Sequence, residues 1–211
     1  MPTSSTLAGH ARRYAISGVH GTGKTTLCHG VVAALRRQGV NATIAGESAR
    51  HSYYLATRTI SPEMEIEILG LQIVEEMRAS LTADIVVCDR SVLDTFAYCI
   101  ARFPGQRTPQ DQEFLDSIAD FGRTYIGSYR RIFFLSAGAP PPLGDPLRDS
   151  DPVCADEVSA AFERAIATWQ TDVFRVDRDT ALETVTTLIS SEAQASRCPA
   201  SKGEDHGYRS D

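Results

Sequence analysis

One short stretch fixes most of what this chain can fold into: "RYAISGVHGTGKTTL", residues 13–27. A short strand pattern runs into a turn with glycines at 18, 21 and 23, and a helical stripe starts at once. Leu27, Val31 and Leu35 recur at i, i+4 and i+8, and Gly39 ends that helix after Gln38. Gly18, Gly23, Lys24 and Thr25 satisfy G-x-x-x-x-G-K-[ST] in full. The spacing has a chemical reason. Glycines let the loop curl until the backbone N–H groups of about His20 to Thr25 converge on one phosphate, at the positive end of the following helix. Lys24 then reaches the outer phosphates as a mobile charge, and the Thr25 hydroxyl is placed to ligate Mg²⁺. Gly18, His20, Gly21, Thr22, Gly23, Lys24, Thr25 and Thr26 are therefore the expected nucleotide-binding set, with Mg-ATP as the expected ligand. Lys24 is one of only two lysines among 21 basic residues, the other being Lys202.

The rest of the chain alternates strand and helix. Strand patterns fall at 40–46 ("VNATIAG"), 83–89 ("ADIVVCD"), 131–136 ("RIFFLS") and 173–177 ("VFRVD"). Helices are expected at 61–81, from Val92 to Phe103, around 110–126, at 155–170 and at 179–191. Ser61 and Pro62 open the 61–81 helix, whose stripe of Ile66, Leu69, Ile73 and Met77 reads as core packing; Asp179 reads as the cap of the closing helix. With the phosphate-loop motif, such alternation calls for an α/β, three-layer P-loop NTPase fold: a parallel five-stranded sheet with helices on both faces. The Pro-, Gly- and Asp-rich segment at about 137–155 reads as loop; residues 1–12 read as a flexible leader, 13–192 as the domain, and 193–211 as a disordered tail.

Bulk properties narrow the function. A net charge of −6 argues against wrapping nucleic acid. No apolar run approaches the roughly 18 residues a membrane span needs. The first residues, "MPTSSTLAGHARR", carry no apolar core of signal-peptide length, so a cytoplasmic location is expected. Cys28, Cys88, Cys99, Cys154 and Cys198 are scattered without a CxxC pair, which fits reduced thiols; Cys88, ending an apolar run, reads as packing.

Three further signals choose among users of such a loop. Asp89 closes a strand of buried character, where an acid that orients Mg²⁺ belongs. Glu47 ends the second strand pattern, and strand C-termini of a parallel sheet face the ligand crevice, so it is placed either to accept an acceptor's proton or merely to cap the next segment. Arg50 and Arg58, just beyond, are candidates for holding an anionic acceptor.

The run "DRSVLDTFAY" (89–98) resembles the DR-S/G-x-x-D-x-x-A-Y pattern of the P-loop nucleoside and nucleotide kinases, which include deoxynucleoside kinases, thymidylate kinases and ribosylnicotinamide-kinase-like AAA-type domains. Residues 14 to about 190 follow their order of cradle, acid after strand two, DR motif after strand three and Arg-bearing lid. The resemblance implies a general base at Glu47 and an arginine at Arg90 near acceptor and transferring phosphoryl. It also implies that the loop at about 137–155 is a lid with its arginine at Arg148, unless Arg148 is only a surface partner of Asp145, Asp149 or Asp151. Lys24, Glu47, Asp89, Arg90 and Arg148 are then the catalytic set, and Thr25 and Asp89 the metal pair. Glu47, Arg50, Arg90, Asp94 and Tyr98 are the acceptor side, with Tyr98 equally readable as core. The motif acid is Asp where deoxynucleoside kinases carry Glu, which leaves a hydroxyl and a phosphate both open as acceptor. A homodimer is in keeping with these kinases.

The expected function is therefore phosphoryl transfer from Mg-ATP to a nucleoside, a nucleotide or a related hydroxylated metabolite. A regulatory ATP-binding module or a partner-directed ATPase is the alternative. A GTPase switch would need an N-K-x-D tetrapeptide and a D-x-x-G after the third strand, and the sequence has neither.

Overall fold

The computed structural model describes residues 11–105, 108–135 and 153–195. In chain order, β1 (Arg12–Ser17) leads to α1 (Lys24–Arg37), β2 (Ala42–Ala45), α2 (Tyr53–Ala56), α3 (Pro62–Ser80), β3 (Ile85–Asp89) and α4 (Val92–Arg102). Then follow α5 (Pro109–Tyr125), β4 (Tyr129–Leu135), α6 (Ala155–Trp169), β5 (Phe174–Val176) and α7 (Ala181–Ala195). The five strands pair in parallel in the order β2-β3-β1-β4-β5.

Strict two-residue alternation sorts the strand side chains into two apolar layers. Tyr14, Ile16, Ile85, Val87, Phe133 and Leu135 face Leu27, Val31 and Leu35 of α1 and Val185 and Ile189 of α7. Ala15, Val86, Cys88, Ile132 and Phe134 face the opposite layer, where Leu69 of α3, Leu93 and Ala97 of α4, and Phe162 of α6 pack. Both faces being covered explains why the strands read as apolar runs and not as half-polar ones. Each fully buried Leu or Phe contributes roughly 1.5–3 kcal/mol to holding the layers together. Cys28, Cys88 and Cys99 are buried and form no disulfide, in keeping with packing.

Helix α3 departs from the expected stripe. Leu69 is buried, Ile66 and Ile73 only lean on the core, and Met77 is 55% exposed. The buried face instead carries Glu65, Gln72 and Glu76. These polar groups tolerate burial because distant elements satisfy them. Tyr129 Oη at the start of β4 and Gln72 Nε2 donate to Glu76 Oε1 at 2.8 and 2.9 Å, Tyr125 Oη of α5 donates to Glu76 Oε2 at 3.0 Å, and Arg102 of α4 pairs with Glu65.

The last helix also differs, running from Ala181 to Ala195, so it starts later and extends past the expected end at 191. Asp179 sits one residue before the cap position: Thr180 O accepts the first helical bond from Thr184 N at 3.0 Å, and Asp179 N donates instead to Asp177 Oδ1. The expected tail therefore begins inside a helix; residues 196–211, with Cys198, lie outside the described residues, as do the first ten residues of the leader. Most of the expected lid, including Arg148, also lies outside them, and helix α6 already occupies its last position, 155. Among the described residues no helix is long and apolar enough to cross a membrane.

Candidate functional site

The strand order brings three chain ends to one rim. β1 lies between β3 and β4, so the loop leaving β1 stands beside Asp89 at the end of β3, with Ile16 in register with Asp89. β2 pairs with β3 on the far side, Ala45 opposite Cys88, which sets Glu47 one strand further out. A parallel sheet makes its crevice at such a rim.

The loop adopts the conformation its glycines permit. Gly18 has φ 141 and Gly23, at the N-terminus of α1, φ 93. A side chain at 18 would strain the backbone and drive a Cβ to 2.6 Å from the Leu135 carbonyl oxygen of β4. Gly18→Ala should therefore lower folding stability by about 2–4 kcal/mol, since neither obstacle is a movable side chain. Denaturant unfolding checks this; an unchanged midpoint would contradict the close approach.

Inside the loop, Lys24 is buried and turns back on its own chain, with Nζ donating to Gly18 O at 2.8 Å and Val19 O at 2.7 Å. Thr22 Oγ1 also donates to Val19 O, at 2.9 Å. Burial and the nearby Arg90 charge push the Lys24 ammonium down to about 8, with Asp94, Asp89 and Glu47 pulling the other way. An anion entering the loop would meet this cation and the N-terminus of α1 together.

Thr25 Oγ1 donates to Asp89 Oδ2 at 2.6 Å. Asp89 Oδ1 is buried and without a hydrogen-bond partner. Burial raises the Asp89 carboxyl, and the Thr25 hydrogen bond and Arg90 oppose that rise. An orphaned carboxylate oxygen beside a hydroxyl is a costly arrangement unless something else uses it.

Glu47 and Arg90 form the opposite wall. Glu47 Oε1 accepts from Arg90 Nε at 2.9 Å and from Nη2 at 2.5 Å, and Glu47 Oε2 accepts from Arg50 Nε at 2.9 Å. Burial pushes the Glu47 carboxyl up, but the Arg90 charge and hydrogen bonds, joined by Arg50, outweigh it and hold Glu47 at about 2. Arg90 itself has φ 92, a left-handed conformation rare for a side chain of this size, while its N–H donates to Ile16 O at 3.1 Å. Backbone strain of this kind persists where the surroundings over-determine it, and functional rims are common places.

Asp94 and Tyr98 are placed differently from a simple acceptor-facing pair. Asp94 is 1% exposed, and its Oδ2 accepts from Ser91 N at 2.9 Å and Ser91 Oγ at 3.1 Å, closing the capping box of α4. Its Oδ1 accepts a long bond from Gly18 N at 3.4 Å and lies 3.9 Å from Arg90 Nη1. Ser17 and Ser91 hydroxyls meet at 2.7 Å, tying β1 to the same corner. Asp94 thus braces the loop against the arginine from behind. Tyr98, 6% exposed, belongs to the core layer yet reaches His20 Nδ1 with its hydroxyl at 3.0 Å. Arg90 and Arg102 lie over its ring at 5.6 and 4.6 Å from the centroid. Arg58 is exposed at φ 57, and no hydrogen bond or ion pair ties its side chain to this group.

Sequence reasoning missed two parts of the rim. A cavity of about 240 Å³ opens beside the loop, lined by Thr26 and Leu27 of α1, Leu135 of β4, and Arg178, Ala181 and Leu182 at the start of α7. The signal was available in principle, because Arg178 follows β5 at the same edge as the other strand ends. The second part is the segment after Glu47, folded into Ser48–His51 and α2. Glu67 of α3 organises it, accepting from Ser52 Oγ and from the Tyr53 and Tyr54 amides.

Residues 13–183 match the family described as AAA domain. Among curated proteins, none matches the chain. Among solved structures, NadR protein in complex with NAD and AMP-PNP is 17% identical with TM-score 0.63, covering 94% of this chain and 52% of that one. NadR protein in complex with NR is 18% identical with TM-score 0.59, covering 80% and 43%. Deoxyadenosine kinase from M. mycoides with bound dATP is 14% identical with TM-score 0.57, covering 87% and 99%. The chain spans about half the length of the NadR structures. These likenesses show a shared P-loop kinase fold, with the parallel five-stranded sheet expected from sequence.

Proposed function

The chain belongs to the family of AAA domains, and from that premise we propose that it is an ATP-dependent kinase of a nucleoside, a nucleotide or a related hydroxylated metabolite. The observation that carries this reading is the Glu47–Arg90 pair, set across Asp89 from the phosphate loop. A nucleotide-binding module needs the loop; it has no use for a carboxylate and an arginine held together opposite it.

The β- and γ-phosphates would take the loop amides, and Lys24 would exchange the Gly18 and Val19 carbonyls for phosphate oxygens. The donor's base would lie in the cavity between Leu27 and Leu182, whose lining offers it apolar walls. Thr25 and Asp89 would hold Mg²⁺, for which the unpartnered Oδ1 of Asp89 and the adjoining hydroxyl are suited donors. That ion would neutralise charge on the phosphates.

In the transfer itself, the acceptor oxygen forms a bond to the γ-phosphorus while the bond from phosphorus to the β–γ bridging oxygen breaks and ADP leaves. A hydroxyl acceptor's proton passes to Glu47, which is ionised at any working pH and orients the hydroxyl through a hydrogen bond. Arg90 is shared between Glu47 and the arriving phosphoryl. As its charge turns toward the phosphoryl, Glu47 becomes a better base at the step that needs one.

Lys24 gives this reading a pH signature. Its ammonium, not its amine, holds phosphate, and it titrates near 8 before ligand enters. Below that value the cation is already present; above it, binding must take up a proton. ATP affinity should be flat in the acid direction and weaken toward tenfold per pH unit above about 8. Titrations on either side of that pH check the sign, and a flat profile would contradict Lys24 as the phosphate-holding group.

The reading is tested by ADP release with and without acceptor. Supplied with nucleosides, nucleotides and hydroxylated metabolites in turn, the chain should release ADP at least about 100-fold faster with one class than with none, because positioning supplies much of the rate. An unchanged rate with every acceptor would support the bare ATPase or binding module instead.

A further inference from the structure

We infer that the acceptor group is an uncharged hydroxyl, such as a nucleoside carries, and not the phosphate of a nucleotide, an inference that rests on the kinase reading above. It comes from the charges that line the acceptor wall. Arg90 spends its guanidinium on Glu47 at 2.5 Å and stands 3.9 Å from Asp94. Arg50 donates to the other oxygen of Glu47. Arg102, which lies under the Tyr98 ring, pairs with the buried Glu65. Among the described residues, three guanidinium groups thus meet three carboxylates, and these charges of the wall cancel.

A phosphate monoester carries close to two negative charges and only hydrogen-bond acceptors. Placed here it would face the Glu47 carboxylate and, with Arg90 shared with the transferring phosphoryl, would meet no further cation among the described residues of the wall, and a like-charge contact in a half-buried site costs several kcal/mol. A hydroxyl has the opposite chemistry. It donates one hydrogen bond, which is what the ionised Glu47 accepts, and its transfer needs no additional cation on the acceptor side. Arg58, among the described residues of the following segment, is an exposed cation outside these pairs. Solvent and salt screen such charges, so they compensate a buried dianion poorly. Product release fits the same polarity. The nucleoside leaves as a phosphate monoester, which the Glu47 carboxylate repels.

The experiment gives the full chain Mg-ATP together with a nucleoside or its own 5′-monophosphate at matched concentration. Common ribo- and deoxyribonucleosides serve as the panel, and nucleoside monophosphate and diphosphate products are quantified separately. A nucleoside should be converted to its monophosphate with kcat/KM at least about 100-fold above that for converting its monophosphate to the diphosphate. Equal or preferred use of a monophosphate would overturn the inference while leaving the kinase reading standing. Release of inorganic phosphate alone, with no organic product from this panel or from the hydroxylated metabolites of the preceding assay, would overturn both.

Discussion

Glu47→Gln should bind ATP as tightly as the parent, within about twofold, and lose about 10³-fold in kcat, the middle of the range for removing a positioned proton acceptor. The contrast follows from where Glu47 stands. It bonds to Arg90 and Arg50, and none of its hydrogen bonds among the described residues goes to the loop that would hold the nucleotide. Glutamine retains the size and one acceptor oxygen, so Arg90 keeps a partner and the wall keeps its shape. What disappears is the negative charge that takes the proton. ATP titration together with single-turnover transfer separates the two quantities. Parallel losses in both would mean that Glu47 supports the architecture of the site and not its chemistry.

Lys24→Met should produce the complementary pattern. ATP affinity and turnover should both fall, turnover by about 10²–10³-fold, because an ammonium aimed at the phosphates is lost from a dry loop. Its effect on folding runs the other way. Burial depresses the Lys24 ammonium from its ordinary 10.5 to about 8, so the charged form costs stability throughout the range below that value, and the cost is relieved as pH rises from about 8 toward 10.5. Methionine fills a similar volume without the charge or the need for the Gly18 and Val19 carbonyls. At neutral pH the variant should therefore be at least as stable as the parent, with a gain of up to about 3 kcal/mol. Thermal unfolding checks this. A large loss of stability would show that the Lys24 hydrogen bonds hold the empty loop together, contrary to the present account.

The donor half of the site was legible because its information is contiguous. Strand, glycine turn, lysine and helix follow one another within residues 13–27, and each local preference agrees with the next. Asp89, Arg90 and Glu47 were legible for a topological reason: strand ends of a parallel sheet share one rim, so an acid at such an end is at the site wherever its strand lies in the order. Asp94 was read too simply. From sequence it sits one turn past Arg90; the Ser91-x-x-Asp94 capping spacing that engages one of its oxygens is local, but nothing local reveals that the Gly18 amide reaches the other. The face of α3 was misread for a related reason. Its buried Glu65, Gln72 and Glu76 look like solvent residues until Arg102, Tyr125 and Tyr129 arrive from elements further along the chain. The cavity beside the loop joins Leu27 to Leu182 across most of the sequence, and no spacing rule carries that pairing.

These cases share a pattern. Backbone-directed features, such as turns, caps and strand periodicity, are written locally. Polar side chains that find one another across the layers are written in the tertiary packing, and they set the charge balance from which the acceptor's chemistry was inferred. The Glu47–Arg90 contact sits between the two: each residue is recognisable by position, but the neutrality of the pair with Arg50 and Asp94 emerges only in three dimensions.

The central claim is that phosphate held in the loop passes to an acceptor at the Glu47–Arg90 wall. Following the label from γ-labelled ATP tests it most directly. With nucleosides, nucleotides and hydroxylated metabolites as the panel, the label should appear in an organic phosphate, and Glu47→Gln should form that product about 10³-fold more slowly while ATP still binds. Label found only in inorganic phosphate, with every acceptor and at the same rate in the variant, would contradict the account.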